Sequence, residues 1–197
     1  MIDHEIHGYA IVSDNDRIAD EHGTTPDALR NHADMAYFQA ELDRADLTVL
    51  GRLGHEANPN RRLRPRLILS SQSAGLELAS DGWWWNPALM PWAAAVQCLV
   101  PNGGRVAVPG GLRVFDHFLK IGYSAFHLSR AQGVNVPGGI PVFSECHLGR
   151  SSEEVLQRRG MRPAERRILD PVTPVILTIW SSASNAKEAS LSPESSS

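Results

Sequence analysis

A carboxylate and an aromatic ring, Asp34 and Phe38, lie four positions apart in a stretch where apolar residues recur at intervals of three and four. This spacing predicts an amphipathic helix with both side chains on one face. The apolar run 47–50 follows and ends at a Gly-Arg turn with Arg52. A carboxylate beside a ring, with an arginine at the end of the next strand, suits a pocket for a nitrogen heterocycle and a phosphorylated cofactor. Alternatively, Asp34 is an exposed helix residue, as most carboxylates are.

A glycine-rich turn is the second candidate for chemistry. Pro109-Gly110-Gly111 follows the β-like run 105–108 and precedes a helical pattern of apolar residues over 114–119. Backbone N–H groups at such a helix start can bind phosphate. A tight turn without a ligand explains the same two glycines equally well.

Strand-like and helix-like segments alternate along the chain, which predicts an α/β domain of three layers. The predicted strands are 8–13, 47–50, 66–70, 105–108, 125–129 and 172–180, and the predicted helices are 25–45, 86–98 and one from residue 112. Thr25 is the predicted N-cap of the first helix, and Pro174 suggests an edge position for the last strand. The arginine-rich segment 147–167 is predicted to be a mobile excursion or a surface helix. Residues 1–180 would form the domain, and 181–197 a disordered Ser-rich tail.

Composition excludes several classes of function. The chain has 197 residues and a net charge of −3, without the basic excess that is typical of nucleic-acid-binding proteins. Cys98 and Cys146 lie far apart, and no histidine pair has metal-ligand spacing, so we expect free thiols and no metal site. No signal peptide and no apolar run of about 18 residues is recognisable, so a cytoplasmic protein with no membrane partner is expected.

Three consecutive tryptophans, Trp83-Trp84-Trp85, cannot all face one core. At least one is expected on a surface, a cofactor or a partner chain, which makes a homodimer plausible. Packing beneath a loop is the alternative.

Four stretches, in this order, resemble landmarks of the dihydrofolate reductase superfamily over roughly residues 8–143. Ala33–Phe38 resembles the helix that carries the folate-pocket acid, and Val49–Arg52 resembles the strand and turn whose arginine meets the coenzyme 2′-phosphate. Arg64–Gln72 resembles the strand that ends near the coenzyme adenosine, and Val108–Phe115 the Gly-Gly turn and helix that hold the pyrophosphate. The resemblance implies a three-layer α/β/α fold with a central, mostly parallel, twisted sheet.

The resemblance also implies an NADPH-dependent reductase that transfers a hydride to a pterin such as 7,8-dihydrofolate. Asp34 would be the pocket acid, Phe38 would pack against the substrate, Arg64 would pair with a substrate carboxylate, and Ala10 would line the same pocket. The residues implied to contact NADPH are Gly51, Arg52, Ser70, Ser71, Gln72, Gly110, Gly111, Leu112, Arg113 and Val114.

Two departures leave the substrate open. The segment 138–143 looks more like the ending of the riboflavin-biosynthesis reductase, and it lacks the threonine that bridges to the pocket acid in the folate-type enzyme. The Pro-Trp pair that precedes the acid-bearing helix in the family is also missing. The alternatives are therefore a reductase of a ribosylaminopyrimidine phosphate, or a degenerate protein that binds a nucleotide or pterin without turnover.

Overall fold

The computed structural model describes residues 3–182, and eleven strands occur in this part of the chain. They are β1 His4–Val12, β2 Arg17–Ala19, β3 Leu47–Gly51, β4 Arg66–Leu69, β5 Leu76–Ala79, β6 Gly82–Trp85, β7 Gly104–Gly110, β8 Ala125–Ala131, β9 Ile140–Pro141, β10 Met161–Asp170 and β11 Val175–Ser182. The α-helices over the same residues are α1 His32–Asp43, α2 Arg52–Ala57, α3 Trp92–Leu99, α4 Leu112–Ile121 and α5 Ser152–Arg158.

One nine-stranded sheet forms the centre, in the order β10-β11-β8-β1-β7-β3-β4-β6-β5. The six neighbouring strands from β8 to β6 are parallel to one another, whereas β5, β10 and β11 join antiparallel. A separate two-stranded sheet pairs β2 with β9. The prediction of a mostly parallel central sheet is confirmed.

Alternating side chains give the sheet two apolar faces, as strands buried on both sides require. On one face, Val106 and Val108 of β7 pack in a core with Phe115 of α4, and this core also contains residues of α3 and α5. On the other face, Ala107 packs with Leu42 of α1. The helices therefore lie on both sides of the sheet, and the predicted three-layer arrangement is confirmed.

The same alternation accounts for the three tryptophans. Trp85 is fully buried in the core beside α4, and Trp83 packs against that core. Trp84 points to the opposite face, where its ring meets the edge of His55 and its Nε1 donates to Asp81 Oδ1 (3.0 Å). The residues form a strand rather than packing beneath a loop, and the packing of all three is explained within one chain.

The first helix begins later than the sequence predicted. Pro26 is extended, a 3-10 turn covers Asp27–Leu29, and Arg30 is extended again. The side chain of Asn31, not that of Thr25, caps α1. This break places Asp34 in the first turn of α1, next to the helix N-terminus.

The helix predicted over 86–98 also begins later than expected. Asn86 Oδ1 accepts from the backbone N–H of Ala88 in a turn, and α3 starts only after Pro91.

The segment 147–167 was predicted wrongly as a mobile excursion or one surface helix. It contains α5, which starts with a capping box formed by Ser151 and Glu154, and most of β10. Because β10 pairs with β11, the last strand is not at the edge, and Pro174 lies just before it. β11 continues to Ser182, beyond the predicted domain end at residue 180, and the rest of the predicted tail lies outside the described residues.

Within residues 3–182, no helix is both long and apolar enough to cross a membrane. Cys98 is exposed, Cys146 is buried, and both are free thiols.

Candidate active site

The residues predicted to contact the coenzyme meet at the carboxyl ends of three adjacent parallel strands. Leu50 of β3 pairs with Gly110 of β7, and Gly51 pairs with Leu69 of β4. The loops that follow these strands therefore leave the sheet side by side. In open α/β sheets, ligands bind in the crevice outside the carboxyl ends of the strands.

The glycine turn at the end of β7 has one packed residue and one open residue. A Cβ on Gly110 (φ +109°) would lie 2.3 Å from Phe115 Cζ, so only glycine fits there. Gly111 (φ +95°) has open space where its Cβ would be and precedes the first residue of α4. The turn thus presents bare backbone at a helix start, the geometry that admits a phosphate.

The residues after the turn divide into inner and outer positions. Arg113 is exposed and makes no ion pair among the described residues, and Leu112 is half-buried. Val114 is buried, and its N–H donates to Gly111 O (2.9 Å), so this amide is used inside the turn. Val114 Cγ2 would lie 3.3 Å from a Cβ on Gly51, which brings the two loops into contact.

Arg52 lies in the first turn of α2 and is half-exposed. Its Nη1 is 2.8 Å from Glu56 Oε1, four residues later. An exposed pair of this kind is weak, so a phosphate could compete for the guanidinium.

The turn after β4 is held by hydrogen bonds to Ser70 and from the side chain of Asn86. Ser71 and Gln72 are exposed, and the Gln72 N–H donates to Ser70 Oγ (3.2 Å). The side-chain amide of Asn86 donates to the carbonyls of Ser71 and Ser73. Asn86 therefore positions this loop.

Asp34 lies on the opposite side of β1 from the glycine turn, and its side chain is largely buried. Its N–H donates to Asn31 Oδ1 (3.1 Å), and its carboxylate accepts a hydrogen bond from the Ser129 hydroxyl on β8. Burial raises the pKa of Asp34, and the Ser129 hydrogen bond opposes part of that rise. The alternative of a fully solvated Asp34 does not hold.

Ser129 is a functional candidate that the sequence analysis missed. We expected Asp34 to lack a hydroxyl partner because segment 138–143 has no threonine, but the hydroxyl comes from an earlier strand. Ser129 pairs with Ile11 of β1 and alternates with His127, so both polar side chains face α1. That alternation within an apolar strand was the available signal.

Phe38 and Ala10, both predicted to border the substrate, lie on opposite faces of the sheet. The Phe38 ring is half-buried and packs 6.1 Å from the ring of Tyr9, in the cluster beneath α1. Ala10 is half-buried in β1, paired with Leu128, and its side chain packs against the core on the α4 face of the sheet. The prediction that its side chain lines the same pocket as Asp34 was wrong, because consecutive strand residues face opposite sides and Tyr9 is the one that faces α1. With neighbouring strands about 4.8 Å apart, the ends of β8 and β7 are separated by roughly 10 Å.

A buried polar cluster lies beneath α1. His127 stacks 4.5 Å from the ring of Tyr9 and 5.3 Å from that of His7, and its Nδ1 is 2.5 Å from the Tyr37 hydroxyl. Burial lowers the pKa of His7 to about 4 and that of His127 to about 3. Both rings are therefore neutral at physiological pH.

Arg64 was predicted to bind a substrate carboxylate, but the chain already supplies one. Its Nε and Nη2 lie 3.0 and 2.6 Å from Asp43 Oδ1, and Nη2 also donates to the side chain and carbonyl of Gln39. No group of three or more His, Cys, Asp or Glu side chains within residues 3–182 is arranged to hold a metal ion.

No protein-family model matches the sequence, and no curated protein is significantly similar to it. Solved structures do match. A putative riboflavin biosynthesis protein from Shewanella sp. PV-4 superposes with a TM-score of 0.64 at 18% identity, over 90% of this chain and 98% of that chain. Dihydrofolate reductase from Enterococcus faecalis, complexed with NADP(H) and RAB-propyl, gives 0.63 at 13% identity, over 91% and 97%.

This chain has a dihydrofolate reductase-like fold. A diaminohydroxyphosphoribosylaminopyrimidine deaminase/5-amino-6-(5-phosphoribosylamino)uracil reductase from Thermotoga maritima also matches, with a TM-score of 0.65 at 14% identity. That alignment covers 92% of this chain but 57% of the other. The solved structures that match therefore include both the folate-type and the riboflavin-type proteins, and they share the fold seen here.

Proposed function

We propose that this protein is an NADPH-dependent reductase that transfers a hydride to a pterin such as 7,8-dihydrofolate, with Asp34 as the pocket acid. The observation that carries the proposal is the position of Asp34. Its carboxylate is largely buried and accepts a hydrogen bond from Ser129. It lies, like the open glycine turn, at the carboxyl ends of the parallel strands.

Asp34 has the properties that proton transfer to a pterin requires. A carboxyl group whose pKa is raised by burial can share a proton near neutral pH. In its charged form it can also accept a pair of hydrogen bonds from the amino edge of a pterin ring. Ser129 fixes the direction of the carboxylate, and Phe38, one turn further along α1, borders the space where the ring would lie.

The coenzyme-binding residues fit the phosphates of a dinucleotide. Gly110 and Gly111 bring the backbone close to the pyrophosphate, and the start of α4 offers N–H groups. Arg52 and Arg113 would contact the 2′-phosphate that distinguishes NADPH from NADH. Bound NADPH supplies the hydride, and the residues of this chain hold it and the substrate ring face to face, which accounts for much of the rate.

A second candidate is reduction of a ribosylaminopyrimidine phosphate, as in riboflavin biosynthesis. The similarity to the Shewanella and Thermotoga structures favours it. This reaction would use the same coenzyme edge but would not need Asp34 as an acid. A cytoplasmic location and a homodimer stay predictions, and the packing of the tryptophans no longer argues for a dimer.

Oxidation of NADPH with a panel of substrates tests the proposal. The panel contains dihydrofolate, dihydrobiopterin and the ribosylaminopyrimidine phosphate, and the readout is the loss of absorbance of the reduced nicotinamide ring. We expect turnover of the pterins, strongly slowed in Asp34→Asn. Asp27→Asn is the matched control, because Asp27 is an almost fully exposed carboxylate just before α1.

Turnover of the pyrimidine alone, with Asp34→Asn fully active, would select the second candidate. Binding of NADPH without oxidation in the presence of any panel member would favour a protein that binds without catalysis.

A further inference from the structure

Strand β10 forms one edge of the central sheet and is long for an edge strand. It pairs with β11 over Met161–Asp170, and among the described residues no other strand joins its outer side. Seven consecutive residues, 162–168, are exposed, so neither face of this stretch is buried. The strand at the other edge, β5, has only four residues. A long exposed edge presents unpaired backbone N–H and C=O groups, to which a further strand can bind.

One face of β10 carries a row of charged side chains. The pairing of β10 with β11, and of β11 with β8, places this row on the face that carries α1. In chain order its members are Arg162, Glu165, Arg167 and Asp170. The side chain of Asn31, the cap of α1, donates to Asp170 Oδ2 (2.8 Å), and this hydrogen bond helps to lower the pKa of Asp170 to about 2. All four side chains are therefore charged at physiological pH, and their signs alternate.

Two bulges make the spacing of this row symmetric. Relative to β11, β10 has one extra residue at Ala164 and another at Leu169. The first two charges of the row are consequently three positions apart, the middle two are two apart, and the last two are again three apart. The row is symmetric in spacing about Arg166, which lies on the opposite face, and it is opposite in sign on the two sides of Arg166.

A row with this symmetry is complementary to its own reverse. A second β10, antiparallel and related by a two-fold axis at Arg166, would place Glu165 opposite Arg167 of the other copy. Arg162 would likewise lie opposite Asp170 of the other copy, and each pair would occur twice. Between these pairs two residues separate the charges on each strand, so the bulges do not disturb the register.

The charges also exclude the neighbouring registers. A shift by two residues would place Glu165 or Arg167 opposite its own copy, and like charges directly opposite are destabilising. A shift by one residue would turn the matching faces to opposite sides. Arg166 meets its own copy on the axis, but it is exposed on the other face, where solvent and salt screen the repulsion. Charged residues usually protect an edge strand from pairing, whereas this arrangement favours pairing with an identical strand.

We propose that β10 is the interface of a homodimer, in which two copies of the strand pair antiparallel about a two-fold axis at Arg166. The contact is self-complementary, as a two-fold interface must be. It joins the two central sheets into one, with nine strands from each copy. The inference is independent of the proposed function, because none of the candidate site residues takes part in it.

Sedimentation velocity of the full chain over a range of concentrations tests the interface. The unmodified protein should show an equilibrium between monomer and dimer. Glu165→Lys puts a lysine opposite Arg167 of the other copy, and Arg167→Glu puts a glutamate opposite Glu165. In each variant two attractive pairs become repulsive, so the dissociation constant of the dimer should rise about tenfold or more.

An equimolar mixture of these two variants separates the interface from effects within one chain. In the mixed dimer the introduced lysine faces the introduced glutamate, and the remaining Arg167 faces the remaining Glu165, so both pairs are attractive again. The mixture should recover a dissociation constant within about threefold of that of the unmodified protein. Damage to the fold of either variant would not be repaired by mixing.

Glu77→Lys is the matched control, because it reverses an exposed glutamate on the other edge strand, β5. It should leave the dissociation constant unchanged, and weakening as large as in Glu165→Lys would overturn the proposal. A monomer at every concentration of the unmodified protein, or an unchanged dimer in either β10 variant, would also overturn it. So would a mixture that associates no more tightly than its two components.

Discussion

Replacing Gly111 by alanine should weaken NADPH binding while leaving the protein folded. Gly111 has a φ of +95° and open space around its missing side chain. An alanine there adds strain of about 1–3 kcal/mol, because the backbone angles (φ +95°, ψ 138°) lie in a region that only glycine adopts readily, but it meets no atom of the protein. Its methyl group would instead occupy the space through which a pyrophosphate approaches α4. We expect NADPH affinity to fall about tenfold or more, equivalent to about 1.4 kcal/mol.

Two further glycines make this experiment quantitative. Gly110→Ala carries the same kind of strain and also puts a Cβ 2.3 Å from Phe115 Cζ, so overpacking adds about 1–3 kcal/mol. Gly122→Ala is the matched control, because Gly122 has a φ of +110°, open surroundings and a position at the far end of α4. Urea unfolding should rank Gly110→Ala as the least stable, with Gly111→Ala and Gly122→Ala similar.

Calorimetric titration with NADPH then separates strain from contact. Only Gly111→Ala, of the two variants with open surroundings, should lose affinity. Equal NADPH affinity in Gly111→Ala and Gly122→Ala would refute the assignment of the glycine turn to the pyrophosphate.

Three other outcomes are expected. Arg52→Ala should weaken NADPH more than NADH in the same titration, and equal weakening would remove the 2′-phosphate assignment. Ser129→Ala should move the pH–rate profile to higher pH. The Ser129 hydrogen bond lowers the pKa of Asp34 in the unmodified protein, so its loss raises that pKa; an unmoved profile would count against this contact. Because folding lowers the pKa of His7 to about 4 and that of His127 to about 3, the unfolded chain binds more protons below pH 6.5. The free energy of unfolding should then fall by up to about 1.4 kcal/mol per pH unit for each histidine as pH drops from 6.5 toward 4, and a slope in urea unfolding that persists in His7→Asn/His127→Asn would contradict this origin.

Local patterns were enough to find the strands of the sheet centre. β3, β4, β7 and β8 are short apolar runs with turn residues at their ends, because both of their faces are covered by helices. The Arg-rich strand β10 escaped detection for the opposite reason. It lies at the sheet edge with most of its side chains exposed, so it carries no apolar signature.

The candidate site was predictable where it depends on neighbouring residues and not where it depends on strand pairing. The positions of Asp34 and the glycine turn follow from local spacing and from the family resemblance. The partners of the predicted residues come from elsewhere in the chain, as Ser129 does for Asp34 through the alignment of β8 with β1. Likewise, the pairing of Arg64 with Asp43 joins residues 21 positions apart, and no spacing rule indicates it.

The rate of hydride transfer in a single turnover, measured across pH for the unmodified protein and for Asp34→Asn, tests the central claim most directly. We predict that the rate of the unmodified protein rises as pH falls through the raised pKa of Asp34. The Asn variant should bind NADPH normally, transfer hydride about 10²–10⁴-fold more slowly at neutral pH, and lose this pH dependence. Equal rates and the same pH profile in both proteins would contradict the role of Asp34 as the acid.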